Sequence, residues 1–280
     1  MDMIGDLGRL VQVEILKYWR KPVARFAAIL LLACPIAGDI LLASISSRDA
    51  VFPRITYYLF ASDMLMFIAL MPVVISVIAL GNDYDLGTVR SILSLGVPRH
   101  RFILAKIITT VSAVLINSAT YVIGGLGAGL VSHTMLSDTP FFEAAGHDIF
   151  WRALGVTLVI AVVGYVSAGA VMLALVLGRT SWAGMLGGLG YFLGDFMLGG
   201  IGVANVRWLE GVHRYTFSYY ALSLLDRIFV SDPNLTLPRA WGEQGPAHPI
   251  WALTALLLLG STLVLVAILI FRRQDVLAKQ

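Results

Sequence analysis

Residues 83–106 read DYDLGTVRSILSLGVPRHRFILAK, a polar and basic stretch set between two long apolar runs at about 57–81 and 102–131. Runs of this length recur along the chain, and a bilayer core of about 30 Å accounts for them where a soluble core does not. Of the 280 residues, 58% are hydrophobic and 13% are charged, against about 25% charged in soluble domains. The apolar segments are continuous and do not alternate with period two, which argues against a β-barrel. The chain reads as an all-α integral membrane protein.

Six spans are expected, at about 24–45, 57–81, 102–131, 153–178, 182–204 and 250–271. The third is long enough to tilt or to project beyond the bilayer. With the N-terminus inside, the cytoplasmic segments hold Arg9, Lys17, Arg20, Lys21, Arg25, Arg90, Arg99, Arg101, Lys106, Arg179, Arg272, Arg273 and Lys279. These are thirteen of the twenty Lys and Arg residues, and by the positive-inside rule they place both termini in the cytoplasm. About 23 mixed residues precede the first apolar run, so a cleaved signal peptide fits poorly. Within them Leu7, Leu10, Val11, Glu14, Ile15, Tyr18 and Trp19 recur at intervals of three and four, and all but Glu14 are apolar or aromatic. Residues 1–23 suit a helix in the membrane interface, with Tyr18 and Trp19 at headgroup level and Lys and Arg on anionic lipid; an ordinary cytoplasmic amphipathic helix is the alternative.

The outer connection at 205–249 contains an apolar stretch, Tyr215–Val230, too short to cross and read as a re-entrant or interfacial helix. The fifth span is rich in glycine, and its Gly184/Gly188 and Gly190/Gly194 pairs permit close helix approach, within the chain or between copies. The single cysteine, Cys34, lies in the first span and reads as a small buried hydrophobe.

Chemical signatures are missing. No lysine follows a glycine, so the chain has no phosphate-binding GxxxxGK[ST] loop. The five histidines are scattered without a second cysteine, so neither a metal site nor a catalytic constellation is expected. Energy for any work must come from a partner or an ion gradient.

Within residues 83–101, Asp83 and Asp85 stand before a helical stretch and favour its positive end. Leu86, Val89, Ile92 and Leu93 then form a short apolar ridge, ended by Gly96 and Pro98. A helix this short needs something to dock against. A connector lying on lipid satisfies that need as well as a protein partner does.

GTVRSILSLGVPRHRFILAK, with the ending FRRQDV, resembles the permeases of ABC-2 type ABC transporters. The resemblance implies a half-transporter in the plasma (inner) membrane, whose Leu86–Val97 segment is a coupling helix. That helix would sit on a separate cytoplasmic ATPase subunit, contacted through Asp83, Asp85, Leu86, Gly87, Val89, Arg90, Ile92 and Leu93, with Leu86, Val89 and Leu93 touching it most directly. Arg99, Arg101 and Lys106 would then touch lipid, beside Tyr18 and Trp19. A second permease copy, identical or related, completes the assembly. This chain binds no cofactor and no nucleic acid; ATP and Mg belong to the partner.

Three acids fall inside spans, Asp39, Asp63 and Asp195. Each costs about 2.5–3.5 kcal/mol at the membrane centre on insertion scales. Counting along the helices puts all three in the outer half at similar depth. One reading is an acidic vestibule for a cationic or amphipathic substrate. The other is structural: the carboxylates pair with Arg48, Arg54 or Arg207, or cap the re-entrant helix. The leading function is thus the permease of an ATP-driven exporter of hydrophobic or amphipathic compounds. The alternative is an ion-gradient-driven secondary transporter using those Asp residues; a membrane enzyme or scaffold is disfavoured.

Overall fold

A computed structural model describes residues 3–45, 64–136, 149–198, 214–229 and 247–273. The described residues form helices and no strand: α1 (Met3–Arg20), α2 (Pro22–Ile45), α3 (Met64–Asp85), α4 (Thr88–Ser94), α5 (Arg99–Leu136), α6 (Ile149–Gly178), α7 (Ser181–Phe196), α8 (Phe217–Phe229) and α9 (Pro249–Arg273). Three of them are long and apolar enough to cross a membrane, over Arg99–Ala128, Phe150–Gly178 and Pro249–Arg273. At about 1.5 Å per residue, the 38 residues of α5 run roughly 57 Å. That far exceeds a hydrocarbon core of about 30 Å, so α5 projects beyond it or tilts.

The bundle is built around α6, which packs on α3, α5, α7, α8 and α9. Small residues let its neighbours approach. A Cβ on Gly164 would stand 2.1 Å from Val114 of α5, and one on Gly188 of α7 would meet Val171 and Val73 within 2.8 Å. Of the two glycine pairs in α7, Gly184 and Gly188 therefore serve packing inside the chain, whereas Gly190 and Gly194 have open space in front of them.

Three apolar clusters fill the bundle among the described residues, two large and a smaller one that packs Tyr18 and Ala24 on Ile75, Ala79, Ala113 and Val114. One large cluster gathers Leu31, Tyr121, Val159, Val163, Phe192, Phe217, Leu225 and Leu256. The other gathers Val73, Leu80, Val89, Phe102, Ile103, Val171, Leu175 and Phe271, with Phe102 stacked on Phe271 at 6.3 Å between ring centres. Cross-links fix which helix ends lie together. The Arg99 guanidinium donates to the Arg272 carbonyl (2.9 Å), joining the start of α5 to the end of α9. The Ser181 N–H donates to the Asp85 carboxylate (2.9 Å), joining the start of α7 to the end of α3. These ends share one end of the bundle with α1 and α4.

Pro22 makes the break between α1 and α2. It lacks an N–H and suits the first position of a helix, where none is needed. Arg25 reaches back from α2 and donates to the carbonyls of Trp19 (3.1 Å) and Arg20 (3.0 Å), which the end of α1 leaves without helical partners.

Candidate functional site

α4 is seven residues long and held between two glycines with left-handed backbone, Gly87 (φ 66°) and Gly96 (φ 82°). Side chains other than glycine resist that conformation, so these residues set where the chain leaves α3 and turns into α5. Val89 is buried among Leu80, Phe102, Ile103 and Phe271, with Ile92 and Leu93 half-buried against the same cluster. The opposite side carries Leu86 (73% exposed), Arg90, Ser91, Ser94 and Leu95 (82% exposed). Val89, expected at the partner's surface, instead points into the bundle, because a helix of about two turns gains stability only by burying its apolar ridge. Beside it runs a groove lined by Leu7, Leu10, Leu95, Gly96, Val97, Pro98 and Arg101.

Beneath α4 lies a cluster of charges. The Lys106 ammonium, 2% exposed, donates to the carboxylates of both Glu14 and Asp83. Lys17, 37% exposed, donates to the second oxygen of Asp83. The Thr88 hydroxyl donates to that same oxygen (2.8 Å), which ties α4 to the cluster. Lys106 also stands 5.5 Å from the centre of the Phe102 ring. The two buried carboxylates face the Lys106 and Lys17 ammonium groups, with Lys21 also within electrostatic reach, so each buried carboxylate has a cationic partner, as burial demands.

Electrostatics follow the same geometry. Burial alone would raise the Asp83 carboxyl, but the Lys106 charge and the bonds from Lys106, Lys17 and Thr88 outweigh it and hold the group below its ordinary value. Lys21, whose ammonium donates to the Ile78 carbonyl, is lowered chiefly by burial. The Tyr18 hydroxyl is pushed up to about 12 by burial, against the smaller effect of the Asn117 bond.

These contacts correct the expectation for the lipid surface. Lys106 faces Glu14 and Asp83 and not headgroups, and Tyr18 is 2% exposed, packed against Ala113 and Val114. An ammonium in an apolar span is stable where carboxylates meet it, and the chain supplies two. Trp19 is half-buried, edge-on to Tyr18 at 5.3 Å, while Arg99 and Arg101 are half-buried at the start of α5. Glu14 did not figure among the expected site residues. Its signal was its place as the one charged member of an otherwise apolar helical face.

The intramembrane acids separate. Asp195, near the end of α7, accepts the N–H groups of Phe217 (2.7 Å) and Ser218 (3.0 Å) and the Ser218 hydroxyl. It caps α8, one of the two readings open from the sequence. Asp39 lies in α2, its side chain outside the described residues, and Asp63 lies outside them altogether.

A family model described as an ABC-2 family transporter protein matches residues 10–195. The chain belongs to the ABC-2 transporter family. No curated protein matches it. As an ABC-2 permease it is an integral membrane transport protein, and the matched segment starts inside α1 and ends on Asp195, enclosing the whole charge cluster and α4. No group of three His, Cys, Asp or Glu side chains among the described residues is placed to hold a metal.

Proposed function

We propose that this chain is the membrane-spanning subunit of an ATP-driven exporter, moving a hydrophobic or amphipathic compound with energy from a separate cytoplasmic ATPase. The observation that carries the reading is α4. It is a short helix anchored from below by Thr88, Asp83 and Val89, and it presents Leu86, Arg90 and Leu95 outward at the end of an ABC-2 bundle. In this reading six spans cross the plasma membrane, both termini face the cytoplasm and a second permease copy completes the path. ATP and Mg bind the partner alone. The outward apolar side chains of α4 then insert into the ATPase, with Arg90 between them.

The test is purification of the chain with its ATPase and reconstitution in lipid vesicles. ATP hydrolysis coupled to transport is expected only with both subunits, and Leu86→Asp with Leu95→Asp should dissociate them. Transport that follows a proton gradient and ignores ATP overturns the reading in favour of a secondary transporter. The vestibule belongs to the same proposal and rests on Asp39 and Asp63, since Asp195 is engaged in the cap of α8. Asp39→Asn and Asp63→Asn, compared at equal membrane abundance, should lower export of a cationic compound. Undiminished export in both ends that part of it.

A further inference from the structure

α1 and Lys21, the residue that follows it, carry four inward bonds on one face. Glu14 accepts from Lys106 of α5, and Lys17 donates to Asp83 at the end of α3. The Asn117 amide of α5 donates to the Tyr18 hydroxyl (3.4 Å), and Lys21 donates to the Ile78 carbonyl of α3. Positions 14, 17, 18 and 21 are spaced i, i+3, i+4 and i+7, the spacing that lines one side of an α-helix. The opposite side is exposed, at Gln12, Val13 and Leu16. An interfacial helix held only by lipid has its polar groups on the outside. Here Arg9, Gln12 and Arg20 stay outside, but Glu14 and Lys17 are turned inward and paired.

The hub of the arrangement is Lys106. Its ammonium is shared between carboxylates on two different helices, so neither α1 nor the α3–α4 junction can shift alone without leaving a buried charge unpaired. Asp83 in turn accepts from Thr88, the first residue of α4. An unbroken chain of polar contacts thus runs from α4 through Thr88, Asp83 and Lys106 to Glu14 on α1. Apolar packing slides with little loss; a buried ionic junction with three helices converging on it has one favourable geometry.

We propose that Lys106 is a positioning residue that latches α1 to α4, so that the two helices move as one rigid unit when the ATPase changes state. The inference rests on the ATP-driven reading above and adds α1 to the parts that transmit the motion. Its test uses the full chain purified with its ATPase, with spin labels at Gln12→Cys on α1 and Ser91→Cys on α4 in a Cys34→Ala background. Both label sites are exposed. Because Ser91 lies on the docking side, the labelled complex is required to keep the ATP hydrolysis of the unlabelled one, with Asn82→Cys at the α3–α4 junction taking its place where the label lowers it. The distance between them is measured without nucleotide and with Mg-ATP and vanadate.

In the otherwise native chain the Gln12–Ser91 distance should stay narrow and the same in both states. Lys17 also ties α1 to Asp83 directly, so the decisive variants are made in a Lys17→Gln background. There the distance should stay fixed while Glu14 holds Lys106; adding Glu14→Gln, which leaves Lys106 its bond to Asp83, should make it dependent on nucleotide. A role in fold stability alone predicts a lower melting temperature for the double variant and no such dependence. A nucleotide-dependent distance in the native chain overturns the latch by itself, and that arm stands even where the double variant fails to accumulate. An unchanged distance in the double variant, with ATP hydrolysis still present, overturns it as well. Absence of ATP hydrolysis by the native complex removes the transporter reading, and the latch with it.

Discussion

Asp83 and Asp195 are both aspartates at the end of a long apolar helix, and the bundle treats them in opposite ways. Asp83 meets other charges: Lys106 and Lys17 neutralise it, and its value lies in joining three helices. Asp195 meets backbone dipoles: two N–H groups and a hydroxyl at the start of α8 hold it, and its value lies in fixing one helix on another. An ionic junction is intolerant of losing one partner, because the remaining charges stay buried. A cap is forgiving, because the N–H groups it leaves can turn to water or another acceptor. One end of the molecule is therefore locked and the other adjustable.

The contrast is sharpest at Lys106. Lys106→Met strands Glu14, leaves Asp83 only Lys17 and Thr88, and should cost about 3–5 kcal/mol, read as a large drop in melting temperature and membrane abundance. Replacing Lys106 and Glu14 together with Met and Leu should recover much of that loss, since apolar side chains of similar volume often substitute for a buried pair. A double variant as unstable as the single one breaks the distinction between a junction and a cap.

Asp195→Ala should cost about 1–2 kcal/mol, within the range for losing a helix cap. The readout is proteolysis near α8, which should accelerate while the α1 end keeps its resistance. Tyr191 stacks on Phe217 at 5.5 Å between ring centres and supports the same contact. Tyr191→Leu should cost roughly 0.5–1.5 kcal/mol, additive with neither the cap nor its loss because Phe217 belongs to both.

Surface substitutions on α4 should fall lower still. Leu95→Ala should change stability by no more than about 0.5 kcal/mol, whereas Val89→Asp buries an unpaired carboxylate and should lower chain abundance. Loss of ATPase association with Leu95→Ala at unchanged melting temperature marks the outward face as the docking side.

Acidification should give no signal between neutral pH and about pH 5, and below that the cleanest sign. The Asp83 carboxyl is held below its unfolded value, so its contribution is fully present above about pH 4 and is lost as the pH falls through the lower folded value. The melting temperature of the native chain minus that of Asp83→Asn should be flat from neutral pH to about pH 5 and shrink only in stronger acid. A difference that shrinks near neutrality contradicts the pairing with Lys106.

The membrane class, the long apolar helices and the short helix after Asp85 were legible because hydropathy and glycine placement act locally. The apolar face of α1 was legible for the same reason. Its direction was not. A period of three to four residues says that Glu14, Tyr18 and Lys21 share a side, but not whether lipid or protein lies opposite. The partner, Lys106, stands 92 residues away and was read as an anchor for headgroups, since a lysine at the start of an apolar run more often snorkels than pairs. Val89 was misplaced for a related reason: the same apolar ridge can serve a partner or the chain's own core, and only the packed position of Phe102 and Phe271 decides between them. Asp195 was legible as a choice between two roles, and the arrival of Phe217 and Ser218 from 22 and 23 residues onward selected the cap.

The separation of Glu14 from Lys106 also sets an order for making the protein. Glu14 emerges from the ribosome long before the ammonium that will neutralise it, and Asp83 emerges 23 residues ahead of the same group. Lys17 precedes both Asp83 and Lys106 and can meet Asp83 as soon as α3 is made, whereas the bond from Lys106 to Glu14 has to wait for α5. The lysine that joins three helices is thus the last of the four charged side chains to be synthesised.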